Sequence, residues 1–225
     1  FHRQPLLREL KEVDHLFSTL TLTKVVLIAG NHDYIRRDSY YRTFEWSDNV
    51  YPLFGETLEY ADLPELGTAV YGFSYHSREI RESRYDGITS GRVEPIEILL
   101  AHGGDQKHIP IDIRALSSSG FDYIALGHIH KPQAMEKDRI IYAGALEPVD
   151  RNDTGPHGYI RGEITESGVR TQESGLGVAA IQTDQLQHEL HRMLLMAQKN
   201  VEASFRSVLD RDEEELAEVE KTEEY

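Results

Sequence analysis

Cysteine is absent from the 225 residues, which excludes disulfides and every thiolate metal site. A chain without thiols suits a reducing compartment, and the expected location is the cytoplasm. Long apolar runs are missing too. No stretch approaches the roughly 18 consecutive residues of a membrane span, and no signal peptide is visible. Positive charge is scarce, with 24 Lys and Arg against 39 Asp and Glu and a formal net charge of -15. That balance argues against a general basic coat for nucleic acid, but not against a local basic groove or a metal-mediated grip on phosphate. An initiator Met is also lacking: the chain opens on Phe1-His2 and is read as a possible excerpt.

The length suits one large domain, or one domain with a small appendage. Leu6, Leu10, Val13, Phe17 and Leu20 recur at helical spacing, so residues 5–20 are expected to form a helix with Pro5 in its first turn. Short β-branched or aliphatic runs at 24–30, 68–75, 94–104, 121–130 and 139–146 read as buried strands, and 158–165 alternates like an exposed one. Residues 111–119 suit a short helix, and 40–60 is mixed and rich in Tyr. Strands interleaved with helices and hairpins make this an α/β fold with layered packing. Two domains are expected, 1–170 and 171–225. In the second, Leu186, Leu190, Leu194, Ala197, Val201, Phe205 and Val208 lie near one face of a helix over 184–209. Residues 210–225 form an acidic run, which reads as a solvated face or tail.

Three of the buried runs end alike. "VVLIAG" opens directly into Asn31, His32 and Asp33; "ILLA" into His102; "IALG" into His128 and His130. Gly, Asn and Asp are ordinary turn residues, and one such ending would be incidental. Three are not, because ligands in α/β sheets gather beyond the carboxyl ends of the strands. Imidazole and amide oxygen donors without thiolate suit Mn, Fe or Zn rather than Ca. Two such ions about 3.5–4 Å apart can bridge a phosphate and lower the pKa of a water.

Gly-Asn-His-Asp, a strand ending in His, and then Gly-His-Ile-His resemble the calcineurin-like metallophosphoesterase superfamily in order, spacing and strand context over residues 1–165. The resemblance implies a layered sandwich of two mixed sheets flanked by helices, with the C-terminal segment a helical appendage or partial capping domain. It implies that Asn31, His102 and His128 hold one metal and that His130 holds the other. His32 would stabilise the transition state or protonate the leaving group, with Asp33 fixing its orientation. The two divalent ions are expected to be Mn, with Fe, Zn or Mg as substitutes. "YAGALEPVDRNDTGPHGYIRGEI" (142–164) is similar to the same region of SbcD-like DNA repair nucleases, with Ala145 where a Ser is usual. On that alignment His2 is a second catalytic His packed behind His32.

The branch resemblance implies a DNA exo- or endonuclease working with an SbcC-like coiled-coil ATPase, by in-line attack of a metal-bound hydroxide on a backbone phosphodiester. Arg36 and Arg37 would steer that backbone. The family's Asp-x-His motif and bridging Asp align upstream of Phe1, so this chain alone is expected to hold one ion well and to be inactive. Two other functions fit the same residues: a small-molecule phosphodiesterase or phosphatase, and a non-catalytic binding module on the same fold. The C-terminal helix is expected either to pack on its own domain or to contact a second copy or the ATPase; no membrane contact is expected.

Overall fold

The computed structural model describes residues 1, 3–148, 155–165 and 168–175. The chain divides into a compact unit, Phe1–Ala179, and a second unit, Ala180–Tyr225. The expected helix over 184–209 and the acidic run after it lie outside the described residues.

Helix α1 spans Leu7–Ser18. Glu9 reaches back to accept the Leu6 amide at 2.7 Å, which satisfies one of the free donors of the first turn. Leu6 itself is exposed and precedes the helix, so the buried stripe runs through Leu10 and Leu16 rather than starting at Leu6. At the other end the Asn49 amide donates to the carbonyls of Phe17, Leu20 and Thr23 at 2.8, 3.2 and 3.1 Å. These are groups a helix end leaves without partners. The short helix α2, Ile113–Ser117, is capped by Asp112, whose carboxylate accepts the Arg114 amide at 2.8 Å.

Ten strands are described: β1 (Val25–Leu27), β2 (Val50–Pro52), β3 (Glu59–Leu63), β4 (Thr68–Gly72), β5 (Ile96–His102), β6 (Tyr123–Gly127), β7 (Gln133–Glu136), β8 (Ile140–Tyr142), β9 (Gly158–Thr165) and β10 (Gly168–Gly175). The main sheet has the order β3-β4-β5-β6-β8-β7. Its four inner strands are parallel and its edges, β3 and β7, are antiparallel. The expected strand over 24–30 is only three residues long, paired in parallel with β2. The second sheet is thus a two-stranded parallel pair among the described residues, not a mixed sheet. β9 and β10 form an antiparallel hairpin that runs across the 170/171 boundary expected from composition.

β2, β3 and β7 were not expected. In β3, Ala61 and Leu63 face in while Tyr60 and Asp62 face out, and β7 is mostly exposed. Polar edge strands of this kind protect a sheet against further pairing and carry little apolar signal. The core is aromatic. Tyr71, Phe73, Tyr75, Tyr85 and Phe121 pack with Leu99, Ile124, Leu126 and Ile140. Glu97, fully buried at the start of β5, is satisfied by Tyr71 Oη at 3.1 Å, by the Ser90 hydroxyl and by the Val93 amide.

Candidate metal centre

The four parallel inner strands deliver their carboxyl ends to one edge of the sheet. His102 closes β5, Gly127 closes β6, and the two are paired in register. His128 follows at once, and its ring meets that of His102 edge-on with centroids 5.2 Å apart. The segment after β1 arrives at the same edge because Ala29 is tied to the end of β4. Its amide donates to Ser74 Oγ at 2.8 Å, and its carbonyl accepts the Tyr75 amide at 3.1 Å. Asn31 is buried there, with Oδ1 only 2.8 Å from His102 Nε2. Three of the expected ligands, 71 residues apart at the extremes of the closest pair, therefore meet in space.

His102 is held from several sides. Tyr85 Oη accepts the His102 amide at 2.8 Å and donates to its carbonyl at 3.2 Å. Tyr75 Oη donates to the same carbonyl at 3.0 Å. The ring sits over Gly30, where a Cβ would lie 2.6 Å from His102 Cε1. Gly30 is thus required by close approach, a reason separate from turn propensity. Gly30→Ala is expected to turn the ring and weaken ion binding by about 10–100-fold, the usual cost of losing a ligand's orientation. Titration of Mn2+ into the variant checks this, with an unchanged affinity speaking against the contact.

Burial, followed by the neighbouring charges of His128, the Phe1 amino group, His108 and His32, pushes the His102 imidazole down to about 3. The ring is neutral at physiological pH and keeps a lone pair for an ion. The donor chemistry fits a divalent ion. An amide oxygen and an imidazole nitrogen 2.8 Å apart have about the spacing of adjacent ligands that each lie some 2.0–2.2 Å from one ion.

The other expected residues are placed as follows. His32 is half-buried and near enough to depress the His102 ring. Asp33 is buried, and its carboxylate binds the turn itself: it accepts the Gly30 amide at 2.8 Å, Tyr41 Oη at 2.7 Å and the Phe1 nitrogen at 3.1 Å. His130 is half-buried, and its carbonyl accepts the Ala145 amide at 2.9 Å across Gly144, which has a φ of 79°. Arg36 and Arg37 are exposed, and Arg36 pairs with Asp38 at 3.3 Å. His2 lies outside the described residues.

The sequence reading passed over Asp105 and His108. Both lie in the loop after β5, and His108 reaches His128 with ring centroids 4.7 Å apart. Burial raises the Asp105 carboxyl, but the bonds from His108, His128 and the Lys107 amide outweigh it and hold the group well below the usual carboxylate range. The Asp-x-x-His spacing in "HGGDQKH" was the available signal. Tyr75 and Tyr85 left none, since they act through hydroxyls on a distant backbone.

Residues 3–132, more than half of the chain, match the family described as calcineurin-like phosphoesterase. The chain is 30% identical over 156 residues to the uncharacterized metallophosphoesterase YhaO of Bacillus subtilis (strain 168), covering 64% of this chain and 38% of that protein. It is 31% identical over 140 residues to the DNA double-strand break repair protein Mre11 of Methanocaldococcus jannaschii, covering 58% of this chain and 37% of that one. The chain therefore spans less than two fifths of the length of these curated relatives. Every strand-end donor from Asn31 to His130 falls inside the matched stretch, and the chain belongs to the calcineurin-like phosphoesterase family.

Proposed function

We propose that this phosphoesterase unit cleaves backbone phosphodiesters of DNA in repair, as an exo- or endonuclease of the SbcD-like kind. One observation carries the reading: Asn31 Oδ1 and His102 Nε2, delivered by separate strands, meet at 2.8 Å with His128 at the edge of the His102 ring. A divalent ion bound there, Mn2+ in this reading, would polarise a phosphoryl oxygen and lower the pKa of a water. The remaining work belongs to the chain. Asn31, His102 and His128 hold one ion, and His130 contributes to a second. His32 sits one residue from Asn31 and donates a proton to the leaving oxygen or stabilises the charge on the phosphate. His2 is assigned to the support of His32. Asp33 keeps the turn closed, so that His32 is presented at a fixed height. Arg36 and Arg37 offer positive charge to the strand beyond the reacting phosphate, with Arg36 partly neutralised by Asp38.

The DNA assignment is supported by the resemblance of residues 142–164 to the repair nucleases and by the similarity to a protein described as acting in double-strand break repair. A coiled-coil ATPase of the SbcC kind, and a second copy of the chain, are the proposed partners of the C-terminal segment. The proposed compartment is the cytoplasm; among the described residues no helix is long and apolar enough to cross a membrane.

Protein expressed from its complete gene, loaded with Mn2+, is expected to shorten linear duplex DNA and to stop when the metal is chelated. Cyclic nucleotides and nucleotide diesters should turn over at least about 100-fold more slowly in kcat/KM, a difference of some 2.7 kcal/mol in transition-state binding. The reverse preference would make it a small-molecule phosphodiesterase. Absence of any hydrolysis by a metal-loaded protein would leave a binding module.

A further inference from the structure

The loop after β5 carries a cluster that the residues assigned above do not account for. Asp105, His108 and His128 each offer one ligand-type atom, and these lie within 4.8 Å of one another. Asp105 Oδ2 is 2.8 Å from His128 Nε2 and 2.8 Å from His108 Nδ1. Its other oxygen accepts the amides of Lys107 and His108 at 2.7 and 3.0 Å. A side chain that is 46% exposed is thus fixed through both carboxylate oxygens.

The loop is built to hold it in place. A Cβ on Gly103 would meet the His108 carbonyl at 2.6 Å, so the two backbones touch. Gly104 donates to that carbonyl at 2.9 Å. Ile109 ends the loop fully buried, with its amide bonded to the Ile80 carbonyl at 2.7 Å and a φ of 44°. A β-branched residue in the left-handed region is a true outlier, kept only where its surroundings over-determine it. His128 is a second outlier, with φ 96°. Two strained positions are therefore joined through one carboxylate.

An ionised carboxylate can only accept hydrogen bonds, so His128 Nε2 must carry the ring proton. A neutral imidazole protonated at Nε2 keeps its lone pair on Nδ1. Histidines that bind metal commonly give their other N–H to a carboxylate, which fixes tautomer and ring orientation together. We propose that Asp105 is a positioning residue of the metal centre: braced by His108, it takes the Nε2 proton of His128 and leaves Nδ1 as the nitrogen that binds the ion shared with Asn31 and His102. This rests on the reading of those three residues as ion ligands. An independent ion on Asp105, His108 and His128 would instead take Nε2 and make the shared ring bridge two ions.

The test uses the 225-residue chain, labelled with 15N-histidine, and Zn2+ alone as the diamagnetic probe. The parent should show His128 as the Nε2–H tautomer by ring nitrogen shifts, before and after Zn2+. Asp105→Ala should mix the tautomers and weaken Zn2+ binding by about 10–100-fold, with unchanged stoichiometry. Asp105→Asn retains an acceptor for Nε2–H and should recover the tautomer and most of the affinity. His108→Ala removes only the brace and serves if Asp105→Ala fails to fold; it should shift both readouts in the same direction, by less. Unchanged tautomer and affinity in the variants would reduce Asp105 to loop closure and overturn the proposal. Loss of a whole equivalent of Zn2+ in the Asp105 and His108 variants, with that equivalent kept in His102→Ala, would make the cluster an ion site of its own and also overturn it. If His102→Ala binds as tightly as the parent while the Asp105 variants behave as expected, it is the ligand reading that fails.

Discussion

His32→Ala, made in protein expressed from its complete gene, leaves the bound metal unchanged and lowers phosphodiester turnover by about 10²–10⁴-fold, the range associated with losing a positioned acid or base. The ground is the division of labour within four residues. Asn31 turns its amide oxygen onto His102 Nε2 at 2.8 Å, which commits that side chain to the ligand side of the turn. Asp33 points the other way, into the Gly30 amide and Tyr41 Oη. His32 between them remains half-buried, close to the cluster of imidazoles. A group so placed can meet a phosphate without being required for the ion. Turnover of Mn2+-loaded protein, measured beside its metal content, separates the two roles. Metal lost in step with activity would make His32 a ligand.

His102→Ala has the opposite signature. Ion affinity at the centre falls by more than about 100-fold, beyond the cost of disturbing an outer partner, while the fold stays intact. The fold survives because the backbone of residue 102 is held independently of the ring, by the β5–β6 ladder and by the hydroxyls of Tyr75 and Tyr85. The imidazole itself is desolvated and kept neutral, and a buried group of that kind stabilises little on its own account. Circular dichroism and Mn2+ calorimetry on the 225-residue chain check both halves. A lost fold would make His102 a core residue rather than a ligand.

Much of the architecture could be read from buried parallel strands, because these are continuous apolar runs punctuated by Gly. The runs ending at His102 and Gly127 became β5 and β6, and their parallel pairing put His102 beside His128 as strand-end chemistry requires. Edge elements were hidden: β3 and β7 expose polar side chains and imitate loops. The run from 24 was overread as one strand, since Val25–Leu27 pairs with β2 and Ala29 already bonds to the end of β4. In the site, donors at strand ends were legible by position alone. Asp105 and His108 were not, because a loop has no periodicity and their meeting with His128 depends on the turn at Gly103 and Gly104. Gly30 was noticed as a turn residue, whereas its closer constraint is the His102 ring packed against it.

The central claim is that the strand-end amide and imidazoles surround a divalent ion. Anomalous scattering from crystals of the chain grown with Mn2+ tests this most directly. The account predicts a manganese peak within bonding reach of Asn31 Oδ1, His102 Nε2 and the His128 ring. Manganese bound only elsewhere, with Asn31 Oδ1 and His102 Nε2 still hydrogen-bonded to each other, would contradict it.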